Sequence, residues 1–87
     1  MNNKGLEDIF DQSGIRYYDE KYSFLIKNAI SDLFQTNYDL LKLINIYHLD
    51  RAILKYREAC ENQKIYNPRN YFRACLKSAI EELIIDE

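Results

Sequence analysis

Two glycines and one proline in 87 residues leave this chain little turn chemistry, and that scarcity constrains its fold more than any other feature. Sheets need turns every few residues, and Gly, Pro, Asn and Asp supply them. A chain so poor in Gly and Pro is expected to form a few long helices and no sheet. Its length supports one hydrophobic core, burying roughly 60–65% of the unfolded chain's surface. The expectation is an all-α fold in which residues 1–87 form a single helical domain. It would be a compact bundle of four main helices plus a short N-terminal helix.

Apolar spacing places those helices. Residues 1–5 read as a loose end. Leu6, Ile9 and Phe10 fit a short helix stopped at Ser13-Gly14, where glycine accepts the left-handed turn that ends many helices. Asp19 is suited to cap a second helix with Tyr22, Ile26, Ala29, Ile30 and Leu33 on its inner face. Thr36 with Asp39 resembles a capping box opening a third helix through Leu40, Leu41, Leu43, Ile44, Ile46 and Tyr47. Apolar residues surround most of that segment, so it is expected to be central and most buried. Asp50 would cap a fourth helix carrying Ile53, Tyr56 and Cys60 inward. Asn67-Pro68 is the clearest start signal, with Asn as cap and Pro at the first helical position. The fifth helix would follow with Phe72, Leu76, Ala79, Ile80 and Leu83 inward, flanked by Tyr71, Cys75 and Ile84.

Several function classes are disfavoured at this level. Cys60 and Cys75 lack CxxC spacing and a neighbouring histidine, and read as small buried thiols in a reducing compartment. No apolar run approaches the ~20 residues of a membrane span, and the polar start Met1-Asn2-Asn3-Lys4-Gly5 has no signal-peptide core. A cytoplasmic protein is expected. His48 is the single histidine and reads as solvent-facing or bonded to a helix cap. There is no Gly-rich phosphate loop, no HExxH and no Ser-His-Asp ordering, so neither an enzyme nor a cofactor is expected.

Charge is distributed unevenly. Residues 1–50 carry five basic and eight acidic side chains. Residues 51–77 carry seven basic against Glu58 and Glu61, and residues 78–87 carry four acids and no base. Arg69, Arg73 and Lys77 recur every four residues and would form one basic ridge on the fifth helix. Such a ridge can dock phosphates or an acidic protein surface, or can stay solvated and pair with Glu81 and nearby acids. A pI of 5.4, with acids bracketing the ridge, disfavours strong direct DNA binding. Of eight tyrosines, Tyr22, Tyr38, Tyr47, Tyr56 and Tyr71 lie on or beside apolar stripes. Tyr17, Tyr18 and Tyr66 fall in connectors, as lids on the core or interface anchors.

The segment Lys64-Ile65-Tyr66-Asn67-Pro68-Arg69-Asn70-Tyr71-Phe72-Arg73-Ala74-Cys75-Leu76-Lys77-Ser78-Ala79-Ile80 resembles the closing helix of DnaD-like domains. These occur in DnaD/DnaB-type primosomal proteins and end the RepA-type replication initiators of Gram-positive bacterial plasmids. The likeness covers roughly residues 35–84. It rests on an N-P-x-x-Y-(F/L) entry followed by an apolar pair, here Tyr71 with Cys75 and Leu76. Ala79 stands where the family often has Trp, and the basic tail of DNA-binding members has no counterpart here.

The resemblance implies replication initiation by a non-catalytic module that docks a replication protein, such as primase or helicase-loading machinery. The chain would be the C-terminal domain of a longer plasmid initiator or a free-standing relative. Partner contact would fall on Arg69, Arg73 and Lys77, with Arg51, Lys55 and Tyr66 nearby. DNA contact would be weak or indirect. The alternatives are a small DNA-binding protein and a mobile-element regulator of a host enzyme. Oligomeric state is not legible in the sequence.

Overall fold

The computed structural model describes residues 5–83; of the expected loose end at residues 1–5 only Gly5, the cap of the first helix, is among them, and the expected flanking Ile84 lies outside them. Among the described residues there are five α-helices and no strand: α1 (Leu6–Ser13), α2 (Glu20–Thr36), α3 (Tyr38–Leu41), α4 (Ile46–Asn62) and α5 (Pro68–Glu82), with a 3₁₀ turn at Ile15–Tyr17 between α1 and α2. No described helix is long and apolar enough to cross a membrane.

Three of the expected punctuation marks stand where the side chains put them. Gly14 ends α1 at φ 81°, the left-handed conformation that an added Cβ makes costly. Asp19 caps α2, its carboxylate accepting from the Tyr22 N–H. Asn67 caps α5 by accepting from the Asn70 N–H at 3.2 Å, with Pro68 at the first helical position.

The middle of the chain differs from expectation. The long third helix is replaced by the four-residue α3 and an irregular link, and α4 begins at Ile46, five residues before the expected start. Asn45 is the reason. Its side chain accepts from the Tyr47 N–H at 2.9 Å, while its own N–H donates to His48 Nδ1 at 3.1 Å, closing a reciprocal cap. Asp50 therefore lies inside α4 rather than capping it. Thr36 opens nothing either: its hydroxyl donates back to the Asp32 carbonyl and closes α2. The apolar residues expected on one helix are split among α3, the link and α4. Leu41 and Ile44 are fully buried, whereas Leu43 and Tyr47 are exposed.

The central element is α5. It lies between α2 and α4 and buries Phe72, Cys75, Leu76, Ala79 and Ile80. They meet Ile26, Ala29, Ile30 and Leu33 of α2 and Leu49, Ala52 and Ile53 of α4 in one core. Burial of this kind is worth roughly 1.5–3 kcal/mol per large side chain before entropy is counted. Tyr56 meets Phe72 edge-on, with centroids 5.6 Å apart, pinning α4 to α5. Cys60, expected inside, is exposed, one step beyond that seam; Cys75 is buried, and both thiols are free. On the far side, α1 is tied to the link before α4. The Gln12 amide donates to the carbonyls of Lys42 and Ile44 at 2.8 Å each.

Candidate partner-docking site

The six predicted contact residues do not form one surface. Arg69 and Arg73 lean toward α2, where Asp32 receives both. Arg69 grips the carboxylate with two nitrogens, at 2.9 and 3.2 Å, and Arg73 approaches at 3.4 Å. The hydrogen bond from Arg69, with its charge and that of Arg73, holds the Asp32 carboxyl below its usual range. The same bond raises the Arg69 guanidinium. Arg51 and Lys55 converge on Glu82 at 3.1 and 3.0 Å. The Lys55 bond, followed by one from the Ser78 hydroxyl, lowers the Glu82 carboxyl. Lys77 pairs with Glu81 at 3.4 Å, as its spacing suggested.

The basic ridge is thus largely matched from within. Asp32 of α2 takes Arg69 and Arg73, Glu81 takes Lys77, and Glu82 takes Arg51 and Lys55 of α4. Sequence reasoning missed Asp32, although one signal was present: it is a lone carboxylate three residues after buried Ala29, at the border of the apolar stripe of α2.

Tyr66 is different. It is 86% exposed in the α4–α5 connector, with the Lys64 ammonium 5.4 Å from its ring centroid. Beside it runs an open groove in two continuous parts. One, of 400 Å³, is lined by Gln63, Lys64, Ile65, Tyr66, Asn67, Asn70, Tyr71 and Ala74. The other, of 530 Å³, continues along the α4–α5 seam past Tyr71 and Ala74 to Ala59, Cys75, Ser78, Glu58 and Lys55. Small side chains facing each other across the seam (Ala59 on α4; Ala74, Cys75 and Ser78 on α5) create the room. The lining mixes apolar side chains (Ile65, Tyr71, Ala59, Ala74) with amides and charges (Gln63, Asn67, Lys55, Glu58).

His48, the only imidazole, is 1% exposed and fully engaged, with Nδ1 accepting from Asn45 and Nε2 donating to the Leu83 carbonyl at 2.7 Å. Burial pushes the Cys75 thiol up, away from the reactive thiolate. Among the described residues no three His, Cys, Asp or Glu side chains are grouped to hold a metal ion. No protein-family model, curated protein or solved structure matches the chain.

Proposed function

We propose that the chain is a non-catalytic docking module of replication initiation: a DnaD-like domain in the cytoplasm that holds a replication protein, such as primase, in a stoichiometric complex. The observation that carries this reading is the exposure of Tyr66 at the mouth of the α4–α5 groove, within the segment that resembles the DnaD family. An exposed tyrosine beside a groove of mixed apolar and polar lining has the composition of an interface anchor. Lys64, beside that ring and in no ion pair among the described residues, adds positive charge for an acidic partner surface. Arg69 and Arg73 act as a clasp between α2 and α5, so the docking face centres on the connector, with Lys77 at its edge.

The matched ridge also weighs against DNA as the main ligand, since phosphate binding draws on unpaired cations. The test is a titration of fluorescently labelled chain with purified primase from a Gram-positive host, and with single- and double-stranded oligonucleotides, from low to physiological salt. Saturable primase binding that persists at physiological salt, with DNA binding lost there, supports the proposal. DNA binding that persists while primase shows none overturns it in favour of a small DNA-binding protein.

A further inference from the structure

The outward face of α4, which meets the groove at Glu58, carries an unusual symmetry. Leu54 is 53% exposed at its centre, and Tyr47, 64% exposed, stands two turns earlier on the same line. Four charges flank Leu54: Asp50 and Arg51 before it, Arg57 and Glu58 after it. At 100° per residue, Asp50 and Arg57 fall on one side of the Leu54 line, and Arg51 and Glu58 on the other. The fold agrees. Asp50 and Arg57 line a cleft with Tyr18 and Tyr22, whereas Arg51 reaches Glu82 of α5 and Glu58 borders the α4–α5 groove.

Read outward from Leu54, each flank holds one acid and one base at nearly equal distances. With about 1.5 Å rise per residue, Asp50 lies about 6 Å before Leu54 and Arg57 about 4.5 Å after it. Arg51 and Glu58 lie about 4.5 Å before and 6 Å after. A two-fold axis through Leu54 that sets a second α4 antiparallel to the first brings like flank against like flank. Asp50 then faces the mate's Arg57, Arg51 faces the mate's Glu58, and both pairs occur twice. The axial mismatch in each is about one residue, well within side-chain reach. Leu54 meets its own copy, and the Tyr47 ring covers the stem of the mate's Glu61.

We infer that this face is a self-recognition surface through which two copies of the chain pair by antiparallel α4 helices. A heterologous partner needs charges complementary to this face; only a second copy requires the face to be complementary to itself. Arg57 and Glu58, one base and one acid, form no ion pair among the described residues, whereas Asp50 accepts from the Tyr18 hydroxyl and Arg51 pairs with Glu82, so the mate's Arg57 and Glu58 would join groups already held in place. The surface is small, so the dimer is weak, with a dissociation constant on the order of 0.1–1 mM.

Sedimentation equilibrium of the chain, from micromolar to millimolar at low salt, tests this directly. The wild-type chain should dimerise, L54E should be monomeric throughout, and F24E, on the exposed face of α2, should dimerise like wild type. R57E/E58K and D50K/R51E each set like charges opposite one another without changing net charge. Each alone should dimerise at least ~10-fold more weakly, and an equimolar mixture should form a heterodimer at wild-type strength. R57E/E58K alters no side-chain contact described above, so its result stands even if D50K/R51E proves unstable. A monomeric wild-type chain at millimolar concentration, or a dimer that survives R57E/E58K, overturns the inference.

Discussion

His48 and Leu83, 35 residues apart, are joined by a 2.7 Å hydrogen bond from the imidazole Nε2 to the backbone carbonyl at the end of α5. The same imidazole closes the start of α4 through Nδ1. One buried ring therefore satisfies an orphan donor at one helix terminus and an orphan acceptor at another. Because Nδ1 accepts from a backbone N–H, the proton sits on Nε2, which fixes the tautomer.

Replacing His48 with Ala should consequently cost more than a surface change. It leaves the Asn45 N–H and the Leu83 carbonyl without partners and opens a cavity, a loss of about 2–4 kcal/mol. For a domain of this size that corresponds to a fall in melting temperature of well over ~8 °C. Differential scanning calorimetry of H48A checks it; a fall under ~2 °C would mean that the two caps contribute little.

Asp32 sets the acid response. Its carboxyl titrates lower in the folded chain than in the unfolded one, because Arg69 and Arg73 favour the charged form. A group depressed in the folded state adds stability above its ordinary range and loses it as pH falls through the folded value. Glu82 behaves alike, held down by Lys55, Ser78 and Arg51. Stability should therefore be level near neutrality and decline below the ordinary carboxylate range. D32N should be less stable by about 1–2 kcal/mol at neutral pH. Its decline with acid should also be shallower than wild type, as urea unfolding from pH 3 to 7 would reveal. Parallel pH curves for the two proteins would remove the Asp32 clasp from the account.

The two thiols should separate kinetically. Cys60 is exposed, whereas Cys75 is buried and its thiol is pushed up by desolvation, so little thiolate forms there. A colorimetric thiol reagent at neutral pH should modify one cysteine quickly and the second at least ~10-fold more slowly. C60S should abolish the fast phase. Equal rates in the native chain would show that the α4–α5 seam opens readily.

The fold was legible where a side chain acts on its own neighbourhood. Gly14, Asp19 and Asn67-Pro68 each set a helix boundary through contacts within three residues, and the stripes of α2 and α5 announced their buried faces. The α3–α4 region misled because Asn45 and His48 form a reciprocal cap that is not the common Ser/Thr–Glu pattern. That cap resets the start of α4 and turns Leu43 and Tyr47 outward. The site was half legible for a similar reason. Arg69, Arg73 and Lys77 do share a helix face, but their partners depend on how α2 lies beside α5, a tertiary relation that places Asp32 between them. Tyr66 was visible as a connector aromatic; the groove beside it depends on small residues meeting across two helices.

Calorimetric titration of Y66A and of wild type into purified primase at physiological salt separates docking by the α4–α5 connector from docking by Arg69 and Arg73, which serve the fold. Loss of an interface anchor of this type costs about 2 kcal/mol or more, so affinity should fall about 30-fold or further. The melting temperature should barely move, since the Tyr66 ring is almost wholly in solvent. Wild-type affinity in Y66A would contradict docking at the connector.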